Sequence, residues 1–227
     1  MLRPDTRPSP DASLRDACAR GDASEIERAL ARGALLEAHD DASGHTPLRL
    51  AACFASASAA RALIAAGARV DALGPDGLSA SMLACRWGAA DALRALLDAG
   101  ADPNLRAGTG ATPLIVACES SALDCAQELL ARGALPNLAD SKGRAPLHAA
   151  IPLADSFGGL VLVLSLLDAG ADPFAGDRRG VCAHRLAIDL GMAFVAQSMA
   201  PRLAAAERRA ISDLCGSAFP HASGGRL

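Results

Sequence analysis

Seven cysteines and five histidines are the residues of this chain best suited to metal, redox or acid–base chemistry. The cysteines include no CxxC pair, the spacing typical of a structural zinc site or a redox dithiol. Cys182 and His184 lie two residues apart, but no second pair of ligands lies nearby in the sequence. We therefore predict reduced thiols, no metal site and no cofactor.

Motifs of the common enzyme classes are missing from the sequence, which contains no nucleophile elbow, phosphate-binding loop or HExxH pattern. Asp102 and Asp172 fall in predicted turns, where backbone hydrogen bonding explains them better than acid–base catalysis does. The sequence therefore predicts no catalytic residue and a protein that is not an enzyme. An enzyme with an unrecognised site is the least favoured alternative, and its candidate residues are His148 and His184.

Glycines recur along the chain with a period of 33 residues, and this period organises the other patterns. One series consists of Gly44, Gly77, Gly110 and Gly143. A second series consists of Gly67, Gly100 and Gly133. The next glycines, Gly170 and Gly180, come 37 residues after their predecessors, so one unit has four extra residues. A period of this length is typical of stacked repeat proteins.

Each unit predicts two helices separated by a turn. Thr46-Pro47 and Thr112-Pro113 suit an N-cap followed by the first helical residue. A second helix carries a pair of apolar residues and ends at a glycine suited to the left-handed conformation. These pairs are Leu63-Ile64, Leu96-Leu97, Leu129-Leu130 and Leu166-Leu167. The third unit has Ser79-Ala80-Ser81 where Thr-Pro-Leu is usual, so we expect its first helix to be less well capped.

The pattern G-x-T-P-L-x-x-A-A, then Leu-Leu, then G-A-D-x-N resembles the ankyrin repeat, most closely at residues 77–104 and 110–137. The resemblance implies an all-α protein. It would be an α-solenoid of about six stacked helix–turn–helix repeats with short β-hairpin-like loops and a C-terminal capping helix. It also implies that His148, in the family's Thr-Pro-Leu-His position, is a structural hydrogen-bonding residue. The other units have Arg49, Met82, Ile115 and Arg185 there. We therefore do not expect the family's interlocking His/Thr hydrogen bonds in most units.

The repeat register accounts for three of the cysteines. Cys18, Cys85 and Cys118 occupy equivalent slots of their units, in place of an alanine. Equivalent positions of stacked helices lie about 8–10 Å apart, beyond the Cα separation of about 7 Å that a disulfide spans. We therefore expect small buried side chains at these positions.

The same register divides the chain into four parts. We predict a disordered leader at 1–12, an array at 13–200, a C-terminal capping helix at 201–215 and a flexible tail at 216–227. The repeats are predicted at 13–38, 39–72, 73–105, 106–138, 139–175 and 176–200. The apolar stripe of the capping helix consists of Leu203, Ala206, Ala210, Ile211 and Leu214.

Partners of ankyrin repeats usually contact the hairpin tips and the exposed side of the first helix, so the resemblance predicts a concave binding surface. Phe54 and Trp87 occupy matching slots of adjacent units, and Arg86 precedes the chain's single tryptophan. Tryptophan and arginine are common interface anchors, so we predict that these three residues bind the partner. The alternative is that both rings only pad contacts between repeats. The other predicted partner-binding residues are His45, Asp76, Glu119, Lys142, Arg144, Arg178 and Arg179.

Two further departures from the repeat are candidates for function. The tips of the last two hairpins are basic, which favours an acidic partner, although ordinary solvated charge is the alternative and Asp140 and Asp177 lie nearby. The four extra residues fall at about 151–159, where Pro152, Gly158 and Gly159 predict a projecting loop. Such a loop is either functional or a neutral insertion.

Composition narrows the class of partner. The chain is 51% hydrophobic and 21% charged, with a net charge of −3, and so lacks the cationic excess typical of nucleic-acid binders. It contains no run of about 18 apolar residues and no signal-peptide core, so we expect no membrane partner and a cytoplasmic, monomeric protein. Its alanine and arginine bias is typical of a high-GC bacterial genome. The predicted function is a non-enzymatic interaction with another protein, as scaffold, regulator or inhibitor. The alternative is a secreted bacterial effector that binds host proteins.

Overall fold

The structure is a computed structural model that describes residues 8–39 and 44–199. Within these residues the helices follow one another in six pairs. The first three pairs are α1 (Pro10–Arg20) and α2 (Ala23–Ala31), α3 (Pro47–Cys53) and α4 (Ala57–Ala65), and α5 (Ala80–Arg86) and α6 (Ala90–Asp98). The next two are α7 (Pro113–Glu119) and α8 (Leu123–Ala131), and α9 (Pro146–Ala150) and α10 (Phe157–Asp168). The last is α11 (Ala183–Asp189) and α12 (193–199).

The pairs stack side by side into a solenoid. The first helices α3, α5, α7 and α9 pack in that order, and the second helices α4, α6, α8 and α10 form a parallel layer behind them. Small alanines and paired leucines fill one continuous core between the layers. The β-type pairing within the described residues is a single bridge between Gly176 and Cys182. The predicted all-α solenoid of stacked repeats is therefore confirmed.

The helix caps agree with the sequence in part. The Thr112 hydroxyl accepts a hydrogen bond from the Ile115 N–H at 3.3 Å, as expected, whereas Thr46 makes no such bond to its own helix. The expectation that α5 is less well capped was wrong. The Ser79 hydroxyl accepts from the Met82 N–H at 3.2 Å, since serine is as good an N-cap acceptor as threonine.

Polar side chains tie each unit to the next. The side chain of Asn104 donates to the Gly133 carbonyl and accepts from the Leu135 N–H, and Asn137 repeats both bonds with Gly170 and Asp172. His148 has the structural role predicted for it. Its Nδ1 accepts from the Ala145 N–H at 3.2 Å, which leaves the proton on Nε2 to donate to the Val181 carbonyl at 3.0 Å.

The four extra residues of the fifth unit do not form the projecting loop predicted at 151–159. Ile151–Leu153 continue α9 as a 3₁₀ turn with Ile151 fully buried, and α10 has 12 residues where α4, α6 and α8 have nine. Gly159, taken as a loop signal, lies inside α10, at a position where any Cβ would overlap the Leu153 carbonyl. The insertion therefore lengthens the helices, and its glycine allows a close approach.

The first helix of the array starts earlier in the chain than the sequence predicted. α1 begins at Pro10 and is capped by Ser9, inside the segment 1–12 that was predicted to be a disordered leader. The earlier part of that leader, the predicted capping helix at 201–215 and the predicted tail at 216–227 lie outside the described residues.

Candidate partner-binding surface

The hairpin tips form a continuous row because their backbones bond to each other. The Gly108 N–H donates to the Gly77 carbonyl at 3.3 Å, and the Ser141 N–H to the Thr109 carbonyl at 3.0 Å. The next tip follows the same pattern, with the Arg178 N–H donating to Lys142 at 3.0 Å. Side chains on the tips of units three to six are therefore displayed from a connected backbone.

An aspartate holds the shape of each of the last two tips. Asp140 accepts the N–H groups of Lys142 and Arg144 at 2.8 and 2.9 Å, and Asp177 accepts those of Arg179 and Val181 at 2.8 and 3.0 Å. Burial by itself raises the pKa of Asp140, but the N–H groups and the Arg144 guanidinium outweigh it and lower that pKa below its usual value. Both carboxylates are thus engaged by the hairpin itself.

The hairpin tip of the third unit is held in shape by residues from two different units. Gly74 stands where the later hairpins have Asp140 and Asp177, and the buried guanidinium of Arg49 occupies the space that a Cβ at Gly74 would fill. Arg49 then forms an ion pair with Asp76, which also accepts the Leu78 N–H at 3.2 Å. Asp76, predicted to contact a partner, is therefore committed at least in part to inter-repeat structure.

A groove of about 330 Å³ runs between the tips and the ends of α5 and α7. Its charged lining includes five residues predicted from the sequence: Asp76, Arg86, Glu119, Lys142 and Arg144. Leu78 and Val116 contribute to its apolar lining, and Asp140 adds a further carboxylate. The groove therefore combines some apolar lining with charges of both signs.

The basic residues of this region fall into two groups. Arg144 is held by Asp140 at 2.8 Å and by Glu119 at 3.0 Å, so its charge is already compensated. Lys142, Arg178 and Arg179 are exposed and form no ion pair within the described part of the chain. A cleft of about 400 Å³ between the last two tips brings these three cations together. Arg144 thus has a structural role in the hairpin, and the other three cations are available to a partner.

Phe54 and Trp87 lie at the ends of α3 and α5, and their side chains project into solvent. Phe54 is 54% exposed and Trp87 is 62% exposed, against 0–7% for the buried hydrophobic residues of the same two units. Burial raises the pKa of the Cys53 thiol, directly before Phe54, and the side chains of Arg49, Trp87 and Arg86 offset part of the rise.

The structure brings most of the predicted residues onto one side of the array but does not gather them in a single pocket. The charged residues line the groove and the adjoining cleft, whereas Phe54 and Trp87 line neither of them and His45 is half-buried at the second hairpin. Cys53 was absent from the prediction. The sequence did offer a signal for Cys53, because it directly precedes Phe54 and occupies the slot that Arg86 fills in the next unit.

The cysteines that the structure describes are free thiols, and four of the six are buried. Within the described residues no group of three or more His, Cys, Asp or Glu side chains is arranged to hold a metal ion. The ring of His184, considered with Cys182 as a ligand, packs on Phe174 with ring centroids 5.2 Å apart.

Comparison with known proteins gives a result that matches this geometry. A family model described as ankyrin repeats (3 copies) matches residues 14–107 and 100–177, which is well over half of the chain. No curated protein matches it. None of the helices within 8–39 and 44–199 is long and apolar enough to cross a membrane.

Proposed function

Because the chain belongs to the ankyrin repeat family, we propose that it is a non-enzymatic module that binds another protein on its surface of hairpin tips and first helices. Repeats of this kind generally mediate contacts between proteins. Binding would make the array a scaffold, regulator or inhibitor of that partner. We also propose that the protein acts as a monomer in the cytoplasm.

The observation that carries this proposal is the exposure of Phe54 and Trp87 on neighbouring units. A large aromatic side chain that is more than half exposed gains free energy when a partner removes it from water. The first helices are packed against each other and the tips are joined by hydrogen bonds before a partner arrives, so little conformational entropy is lost on binding. Arg86, exposed at the end of α5, adds a donor for carboxylates or carbonyls beside the rings.

The polar surroundings favour a protein partner over a nucleic acid. The groove has carboxylates as well as cations, since Asp76 and Glu119 face it together with Arg86 and Lys142. A phosphate backbone would meet repulsion from these carboxylates, whereas a protein surface presents both signs of charge.

The test is affinity capture of partners from a native lysate, followed by measurement of Kd with the purified partner. Trp87→Ala is expected to weaken binding by about fivefold or more, the loss typical of an interface anchor. Leu135→Ala is the matched control, because Leu135 is 53% exposed but lies in the turn after α8. Urea unfolding checks that both variants are folded.

Equal affinities of Trp87→Ala and the parent chain would reject Trp87 as an anchor. If Phe54→Ala and Arg86→Ala also leave the affinity for the partner unchanged, the whole surface is rejected as the binding site. Capture that is lost only on Leu135→Ala would move the binding site to the turn after α8.

A further inference from the structure

The hairpin tips change charge along the array. In the third and fourth hairpins, the two residues that precede the glycine include no cation; they are Pro75, Asp76, Gly108 and Thr109. The equivalent residues of the fifth and sixth hairpins include three cations, which are Lys142, Arg178 and Arg179. Basic charge is therefore a property of the last two tips and not of the repeat as such.

The cleft between these two tips has an excess of positive charge. Its lining residues, which together we call the basic cleft, are Ser141, Lys142, Arg144, Asp177, Arg178 and Arg179. Four of these six residues are cations and one is an acid. The N–H groups of Val181 and Arg179 lower the pKa of Asp177, so this carboxylate is ionised at neutral pH, but it offsets only one of the cations.

Ion pairs within the protein are common among its arginines. Eight arginines of the described residues pair with carboxylates: Arg20, Arg28, Arg32, Arg49, Arg94, Arg132, Arg144 and Arg185. Lys142, Arg178 and Arg179 form no such pair within the same residues, although they line one cleft. Like charges held side by side repel each other, and an anion bound between them replaces this repulsion by attraction.

The backbone of the two tips offers no N–H group to a bound anion. Each of the eight N–H groups in 141–144 and 178–181 already donates to a carbonyl or carboxylate of the hairpins. A compact phosphate group is typically held by several converging backbone N–H groups. The basic cleft instead offers the ends of three long side chains, and arginine matches the two oxygens of a carboxylate. This arrangement suits several carboxylates better than one phosphate.

We propose that the basic cleft binds an acidic segment of the partner protein, whose Asp or Glu side chains pair with Lys142, Arg178 and Arg179; this assignment rests on the proposed function. Lys142 and Arg179 hold equivalent slots of adjacent units. Such slots lie about 10 Å apart in stacked repeats, a distance that about three residues of an extended chain span. The acidic segment would therefore carry carboxylates two or three residues apart.

The basic cleft is continuous with the neighbouring groove. Ser141, Lys142 and Arg144 line both of them. A segment bound in the cleft can therefore continue along the groove toward Leu78 and Arg86. This continuity favours part of a larger protein partner over a separate small anion.

The surroundings of the cleft favour an acidic peptide over a nucleic acid. Carboxylates of Glu119, Asp140 and Asp177 lie in or beside it and would repel an evenly charged phosphate backbone. A peptide can place its acids over the cations alone. The lining of the basic cleft also includes no aromatic side chain on which a base could stack.

The experiment uses the full chain and a peptide of sequence Ser-Glu-Ser-Glu-Glu-Ser-Glu-Ser that carries an uncharged dye. The control peptide has glutamine in place of each glutamate. Fluorescence anisotropy measures Kd at an ionic strength of about 0.01 M, where screening is weak. We expect the acidic peptide to bind at least about tenfold more tightly than the control peptide, and this difference to disappear at about 1 M salt.

Substitutions in the chain assign the binding to the cleft. Lys142→Gln, Arg178→Gln and Arg179→Gln are each expected to raise the Kd of the acidic peptide roughly two- to fivefold, and the triple variant on the order of 10- to 100-fold. The tips are expected to keep their shape, because their aspartates bind backbone N–H groups that these substitutions retain. Arg61→Gln is the matched control, since it removes the same charge from an exposed position on α4. Urea unfolding checks that each variant is folded.

Two results would show that the attraction is diffuse and would overturn the proposal. One is a triple variant that binds the acidic peptide as the parent chain does, and the other is an Arg61→Gln effect as large as that of the cleft variants. The proposal is also overturned if inorganic phosphate displaces the peptide at concentrations below the Kd of the peptide. Tighter binding of a single-stranded oligonucleotide than of the peptide would have the same consequence.

The failure of this proposal can be told apart from the failure of the proposed function. If Trp87→Ala weakens a captured partner while the cleft variants leave peptide binding unchanged, only the acidic segment is rejected. If the cleft variants weaken peptide binding but a captured partner ignores changes at Phe54, Arg86 and Trp87, the basic cleft is supported and the aromatic surface is rejected.

Discussion

Replacement of Asp140 by alanine is expected to destabilise the array, because it removes the carboxylate that holds one hairpin tip in shape. The side chain of Asp140 is only 4% exposed, and it accepts the Lys142 and Arg144 N–H groups at 2.8 and 2.9 Å and the Arg144 Nε at 3.0 Å. Hydrogen bonds to a charged acceptor contribute about 1.5–3 kcal/mol each. Water rehydrates the freed donors at the tip, and Arg144 keeps Glu119, so we expect a total loss of about 2–3 kcal/mol.

Urea unfolding followed by circular dichroism measures this loss at pH 7. Asp140→Asn is expected to cost about half as much, because its amide oxygen still accepts the two N–H groups but carries no charge. Asp155→Ala, at an exposed aspartate of the same unit, is expected to stay within about 0.5 kcal/mol of the parent.

The pH dependence of the loss follows from the lowered pKa of Asp140. A carboxyl whose pKa is lower in the folded state stabilises the fold above its unfolded pKa of about 3.9, and this contribution disappears as the pH falls through the folded pKa. The difference between Asp140→Ala and the parent chain is therefore expected to be full at pH 5 and to shrink below pH 4. A difference under about 0.5 kcal/mol at pH 7, or one that stays constant as the pH falls, would refute the role assigned to the carboxylate.

Three further predictions concern single positions. Ala55 has a φ of 54° where the third unit has Gly88, so Ala55→Gly is expected to stabilise the fold by about 1 kcal/mol and Gly88→Ala to destabilise it by a similar amount, as thermal and urea unfolding would show. The buried hydroxyl of Ser81 has no hydrogen-bond partner within the described residues, so Ser81→Ala is expected to raise the free energy of unfolding by about 1 kcal/mol; a loss of stability would contradict this. Burial raises the pKa of the Cys18 thiol to about 12, whereas Cys53 is half-buried, so mass spectrometry is expected to find Cys53 alkylated at least about tenfold faster at pH 8.

Much of the fold was readable from the sequence because it repeats. The step of 33 residues fixes where turns and helices fall, since each unit uses the same local signals for its caps, apolar pairs and glycines. The structural role of His148 also followed from its position within the repeat. So did the turn-forming roles of Asp102 and Asp172, which accept the N–H groups of Asn104 and Phe174 at 2.8 Å.

The tertiary structure decided what depends on contacts between units. The sequence treats Arg144 and Arg178 alike as basic tip residues, but only the folded array places Glu119 of the preceding unit against Arg144 and leaves Arg178 without an ion pair among the described residues. The placement of Arg49 beside Gly74 belongs to the same class. A local pattern determines backbone conformation because its hydrogen bonds lie within a few residues. The state of a side chain is decided by atoms from units about 30 residues away, which become neighbours only once the units have stacked.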